Sequence, residues 1–363
     1  MNPTSAPYRF HAFSISYFSA KVRPALRYKR LWYEELRADR HEVQRRTGLG
    51  FIPILITPED ETWQDTSEIL DRLEARHPEP PLQPTTPVQR VATRLVELYT
   101  DEFALLPAMH YRWASPLGAA TTRARFAAMI GDAAVAERTA DRMAAARIQL
   151  GATDETGSAI EAHTRDLLAA LSTHFAAHPY LLGARMSLAD CALMGPLYGH
   201  LFNDLVSRRL LLETAVPVVG WIERCHAPDP ARQGDWLTGD ALAPGFRDVL
   251  TVMGRDAAPV LLACAHAIEA WADMRPDDDG PPPRAVGSAA STLRGVPLQR
   301  VALPYTLWML QRVLDAGAAL SPAERTALDS AIAGTGWEAV LAYRPRHRIG
   351  KRGFQLAFES PRR

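Results

Sequence analysis

The run from Gly50 to Leu73, Gly-Phe-Ile-Pro-Ile-Leu-Ile-Thr-Pro-Glu-Asp-Glu-Thr-Trp-Gln-Asp-Thr-Ser-Glu-Ile-Leu-Asp-Arg-Leu, constrains the fold more than any other part of the chain. A β-branched run carries a proline at its start, a Pro/Asp turn follows, and Asp65-Thr66-Ser67 then caps a helix with apolar positions at Ile69, Leu70 and Leu73. The order is strand, turn, strand, helix. Proline cannot donate to a sheet ladder, so Pro53 belongs on the first residue or the edge of its strand, and the bond before it is a candidate for the cis form. A cis peptide there turns the backbone of Ile52 outward, toward a cleft. The N–H groups that open the helix at Asp65 and Thr66 make a second anchoring point, suited to an anion.

The flanking sequence extends this pattern. Tyr8 to Ser14 alternates as a first strand, and Ser16 or Ser19 precedes a helix predicted over Lys21 to Trp32, with Pro24 in its first turn. Tyr33 to Val43 reads as a second strand and a short polar helix. The whole is βαβ followed by ββα, a three-layer α/β unit. Pro78 to Pro87 is a proline-rich extended spacer and is taken as a linker. Beyond it the spacing is helical: Val88 to Ser115 with a kink at Pro107, Thr121 to Leu150, Ile160 to Ala177, Ser187 to Val206, and Val216 to Cys225. Ser187 and Asp190 have the spacing of reciprocal helix caps, a structural role.

From Pro228 the pattern changes again. A long helix is predicted over Phe246 to Asp273, an acidic proline-rich loop over Pro276 to Pro283, and a hairpin over Ala285 to Leu303 turning at Arg294-Gly295. Helices over Tyr305 to Ala316 and Ala323 to Ile332 precede a basic tail of Arg344, Arg346, Arg348, Lys351 and Arg352, read as a solvated face. The expected divisions are therefore 8–77, a linker at 78–87, 88–227, and an extension over 228–363.

Composition narrows the function classes. With 363 residues, 47% of them hydrophobic and 23% charged, the chain can bury a sizeable core. Basic and acidic residues number 41 each, so no overall field favours nucleic acid or an anionic membrane as partner. Cys191, Cys225 and Cys264 are far apart and form no Cys/His cluster, which speaks against a metal site or a disulfide scaffold and suits a reducing compartment. Their helical context makes them buried and inert. No basic leader or apolar run of about 18 residues is evident, so a cytoplasmic protein is expected.

Ile52-Pro53 followed by strand, turn and Asp-Thr-Ser-Glu-Ile resembles the glutathione-binding half of the thioredoxin-like domain of glutathione transferases. Ser16-Tyr17-Phe18-Ser19-Ala20-Lys21-Val22-Arg23 is similar to the segment that opens the first helix in that family. The resemblance implies a thioredoxin-like α/β domain followed by an all-α domain, covering residues 8 to about 227. It also implies glutathione as co-substrate, a small electrophile as second substrate, and a two-fold homodimer.

Within that resemblance, Ser16 stands at the catalytic position, with Ser19 and Ser14 as fallbacks. Ile52, presented by Pro53, would pair with the cysteinyl backbone; Thr66 would take the γ-glutamyl carboxylate and Asp65 the γ-glutamyl ammonium. From the residues alone, Ser16 reads first as a simple helix cap, and Asp65 and Thr66 read equally as caps. Tyr17 departs from the proline that commonly follows the catalytic position, and this puts the shape of the loop in question. Met109, His110, Tyr111 and Trp113 are candidates for the wall of an electrophile pocket between the domains, or for plain core. Two alternatives stand beside the transferase: a non-catalytic binding protein of the same fold, and a thiol-disulfide or dehydroascorbate reductase. The reductase needs a cysteine at the head of the first helix, where this chain has none.

Overall fold

A computed structural model describes residues 6–275 and 280–359. The first unit contains β1 (Tyr8–Ala12), α1 (Tyr17–Tyr28), β2 (Tyr33–Arg37), α2 (Arg40–Thr47), β3 (Ile54–Ile56), β4 (Thr62–Gln64) and α3 (Thr66–Arg76). Its sheet runs β2-β1-β3-β4, with β2 parallel to β1 and the other two pairings antiparallel. This is the thioredoxin-like arrangement. Side chains alternate across a strand, and β3 shows the consequence: Leu55 joins Phe10, Val22, Leu26, Ile69 and Leu73 in the main core, whereas Ile54 and Ile56 pack with Val43 of α2.

α1 starts earlier than its apolar spacing suggests, because Ser16 caps it by accepting from the Ser19 amide at 3.3 Å. It ends at Tyr28, so Pro24 lies inside the helix and not in its first turn.

The helical region comprises α4 (Pro87–Leu98), α5 (Leu105–Trp113), α6 (Pro116–Ile130), α7 (Ala133–Gln149), α8 (Gly157–Ala177), α9 (Leu188–Met194), α10 (Leu205–Thr214) and α11 (Val216–His226). The break between α4 and α5 is a π-helical turn over Tyr99–Phe103, and Pro107 sits harmlessly in the first turn of α5. The helix expected over 121–150 is two helices, α6 ending at Gly131 with φ 81° and α7 capped by Asp132. A second π-helical stretch, Gly195–Phe202, follows α9. Asp190 caps as expected, accepting from the Ser187 amide at 2.9 Å, and also from the Leu181 amide and the Trp221 indole at 3.0 and 2.9 Å.

The extension comprises α12 (Pro244–Asp273), β5 (Ser288–Leu293), β6 (Val296–Val301), α13 (Pro304–Ala318), α14 (Pro322–Ile332), α15 (Glu338–Ala342), β7 (Ile349–Arg352) and β8 (Gln355–Phe358). The β5–β6 hairpin turns at Arg294 and Gly295, both at positive φ, as the sequence predicts. Residues 276–279 of the expected acidic loop lie outside the described residues.

The extension shares its core with the rest of the molecule, Phe246, Leu250 and Trp337 belonging to the same cluster as Tyr8 and Phe10. A Cβ on Gly254 would lie 2.3 Å from the Thr335 carbonyl oxygen, so this glycine permits the contact between α12 and the segment leading to α15. α12 is long and apolar enough to cross a membrane by length and composition, with mean hydropathy 1.2 over its most apolar window. The sequence reading had expected no such stretch. Most of that window is buried inside the protein.

The basic tail is mostly a solvated face, as expected: Arg344, Arg346, Arg348 and Arg352 are exposed, Arg346 pairing with Asp273 and Arg348 with Asp315 at 2.7 Å each, and Lys351 is the exception, reaching back to α3.

Candidate functional site

The strand registers bring the expected site residues to one end of the sheet. His11 stands opposite Ile54 and Ile54 opposite Gln64. Phe13, Ile52 and Thr66 lie just past the ends of these strands on the same side, and Ser16 follows as the cap of α1. The Ile52–Pro53 bond is cis, and neither the amide nor the carbonyl of Ile52 forms a hydrogen bond within the described residues. Gln64 secures the neighbouring backbone by donating to the Phe51 carbonyl at 2.7 Å.

Asp65 has φ 78° and ψ 121°, a conformation that costs a non-glycine residue on the order of 1–3 kcal/mol. Its carboxylate offsets part of this, Oδ1 accepting from the Ser67 and Glu68 amides at 2.9 and 3.3 Å. Thr66 is buried, and its hydroxyl has no hydrogen-bond partner among the described residues. Beneath it Lys21 is fully buried, donating to Ser67 Oγ at 2.9 Å, Glu97 at 3.0 Å and Asp101 at 2.6 Å. Although burial pushes the other way, Lys21, Arg94 and Arg312 hold Glu97 well below the usual carboxylate range. Burial raises Asp101 against the pull of Lys21, and its Oδ1 has no hydrogen-bond partner among the described residues.

The three serines near the head of α1 differ in setting. Ser14 is exposed, Ser16 half-buried, and Ser19 fully buried with its Oγ accepting from the Phe13 amide at 3.4 Å. Tyr17, in place of the usual proline, is buried against the helical domain and donates to the Thr100 carbonyl at 2.5 Å. Two glycines admit it: a Cβ on Gly195 would lie 3.0 Å from the Tyr17 ring, and one on Gly199 3.0 Å from its Cα.

Met109, His110, Tyr111 and Trp113 do not share one wall. Met109 and Trp113 are four apart on α5 and lie on one face, packed with Ile15 and Phe126. His110 and Tyr111 face a cavity of about 410 Å³ within the helical domain, bordered also by Ser115, Ser158 and Glu161. There burial lowers the His110 pKa and pushes Tyr111 up to about 12. A separate space of about 340 Å³ is lined by Ala12, Phe13, Ser14, Glu35, Leu36 and Arg37 of the first unit and by Met129 of α6. All three cysteines are free and buried, and burial raises the thiols of Cys191, Cys225 and Cys264.

The extension meets the Asp65–Thr66 corner directly. Lys351 Nζ lies 3.1 Å from Asp65 Oδ2 and 3.1 Å from Glu68 Oε2, and Met309 Sδ lies 3.8 Å from Ser67 Oγ. Sequence reasoning missed these contacts. A usable signal existed: only three of the 41 basic residues are lysine, and Lys21 and Lys29 are already buried at carboxylates.

Residues 10–81 match the family described as glutathione S-transferase, N-terminal domain. The match takes in residues 10–81 alone, so the likeness to glutathione S-transferases is that of this N-terminal domain. Similar solved structures include a glutathione S-transferase from Rhodospirillum rubrum F11, 18% identical over 67% of this chain and 99% of that one with TM-score 0.43. The beta-etherase LigF from Sphingobium sp. strain SYK-6 is 17% identical over 67% and 98%, with TM-score 0.45. A glutathione S-transferase from Methylobacterium radiotolerans, in complex with glutathione sulfonate, is 22% identical over 64% and 97%, with TM-score 0.40. A 129-residue stretch is 32% identical to the aldehyde oxidoreductase molybdenum-binding subunit PaoC of Escherichia coli (strain K12), covering 32% of this chain and 17% of that protein. The chain thus spans under a fifth of the length of that curated relative.

Proposed function

We propose that the protein binds glutathione at the sheet end where Ile52 and Thr66 meet the head of α1, and transfers it to a small electrophile as a thiolate steadied by Ser16. What carries this is the corner itself: the strained Asp65 presents Thr66 at the N-terminus of α3, and among the described residues neither the Thr66 hydroxyl nor the amide and carbonyl of Ile52 has a hydrogen-bond partner. The Ile52 backbone pairs with the cysteinyl residue held in place by Pro53. The Thr66 hydroxyl and amide take the γ-glutamyl carboxylate, helped by the positive end of the helix. Asp65 has the sign to face the ammonium, with its Oδ2 already held by Lys351.

A free thiol ionises near pH 8.5, and lowering that by two units takes about 2.7 kcal/mol. Ser16 Oγ accepts from the Ser19 amide and keeps its own proton to donate to sulfur, and the first turn of α1 carries no acid to weaken its field. The cleft beside Phe13 and Ser14 is the place for the electrophile.

Replacing Ser16 by alanine is expected to leave glutathione affinity nearly unchanged while abolishing thiolate absorbance and turnover. An identical, unperturbed thiol pKa in wild type and Ser16→Ala would reduce the protein to a binder. That second reading, a non-catalytic protein of the same fold, is favoured by one observation: Asp65 already has an ionic partner in Lys351. A reductase would require a cysteine where Ser16 stands. The proposal includes a cytoplasmic location and a two-fold homodimer pairing the thioredoxin-like domain of one copy with the helical domain of the other. Sedimentation showing only monomer at micromolar concentration removes the dimer.

A further inference from the structure

Lys351 stands where a γ-glutamyl ligand would bring its own ammonium. Its Nζ bridges Asp65 and Glu68 at 3.1 Å each and lies 4.2 Å from the centre of the Trp308 ring. The strand that delivers it is fixed: Gln311 donates to the Ile349 carbonyl at 2.8 Å and accepts from the Ile349 amide at 2.9 Å. Both oxygens of Asp65 are therefore in use, Oδ1 by the Ser67 and Glu68 amides and Oδ2 by Lys351. An incoming ammonium finds no vacant anion there and meets a like charge, whereas a carboxylate still finds the free Thr66 hydroxyl and a nearby cation.

We infer that Lys351 is a specificity-determining residue that takes the place of the ligand's α-amino group, so that the site selects thiol peptides whose acyl arm ends in a carboxylate and lacks the ammonium. This deepens the proposed function and rests on the corner of Ile52 and Thr66 being the binding place of a cysteine-containing tripeptide.

The test is calorimetry on the full chain with two ligands, glutathione and N-glutaryl-cysteinylglycine, which differ only in the amino group. Wild type is expected to bind the glutaryl peptide roughly ten-fold more tightly than glutathione, and Lys351→Ala to reverse that order. Lys351→Met keeps an apolar stem over Trp308 without the charge, and the same reversal is expected from it. A wild type that prefers glutathione, or a ligand preference unmoved by both variants, overturns the role of Lys351 and leaves the tripeptide site standing. If no protein in the set binds either peptide, the tripeptide site and the inference fall together.

Discussion

Two lysines serve the first turn of α3, and their surroundings differ. Lys21 is wholly buried and spends its three donors on Ser67, Glu97 and Asp101. Lys351 holds Asp65 and Glu68, its side chain 11% exposed and resting on Trp308. The same ion does two jobs. Desolvation makes the inner pair costly to form and very costly to leave half-made, whereas the outer pair keeps access to water and can exchange its partner for another charge. The inner lysine therefore belongs to the scaffold that holds Ser67 and Thr66, and the outer one to the site.

The largest expected effect follows from the inner pair. Lys21→Met leaves Asp101 without a counter-ion in the core, while Glu97 keeps Arg94 and Arg312, and should cost about 3–5 kcal/mol, read from the urea midpoint. A loss below about 1 kcal/mol would erase the contrast between the two lysines.

Next comes the neighbouring carboxyl of Glu102, buried in the π-helical turn and accepting from the Thr306 hydroxyl. Burial pushes its pKa up to about 7. Between its ordinary value of 4.5 and that value, the folded protein holds a proton that the unfolded chain has lost, so stability falls as pH rises through the window. The full loss is on the order of 3 kcal/mol. Glu102→Gln should accordingly be more stable than wild type at pH 8, with the gain shrinking toward pH 5. An equal difference at both pH values contradicts the shift.

The smallest effect belongs to the outer lysine. Lys351→Ala should lower stability by about 1 kcal/mol, since Asp65 keeps the Ser67 and Glu68 amides and Glu68 is partly exposed. A loss as large as that of Lys21→Met would make Lys351 part of the scaffold.

Legibility in the sequence followed the range of the interactions. Period-two and capping signals are local, and they identified the βαβ-ββα order, the Asp65–Thr66 corner, the Ser187–Asp190 caps and the Arg294-Gly295 turn, while the thioredoxin-like fold came from the family resemblance. The π-helical turns at Tyr99–Phe103 and Gly195–Phe202 escaped because their cause is tertiary: Tyr17 packs against Gly195 and Gly199, and Lys21 draws Asp101 inward. Helix periodicity also separates Met109 and Trp113 from His110 and Tyr111, which a reading by residue type alone had placed on one wall. The contact between Lys351 and Asp65 joins positions 286 apart, and no local pattern encodes it. Composition held the only hint, in a chain with three lysines.

The account stands most directly on Thr66. Calorimetry of glutathione binding to wild type and Thr66→Ala isolates one hydrogen bond to a carboxylate, worth about 1.5–3 kcal/mol. The predicted result is measurable binding by wild type and a roughly ten- to hundred-fold loss in the variant. Equal affinity in the two proteins, or no binding by either, would contradict the assignment of this corner as the glutathione site.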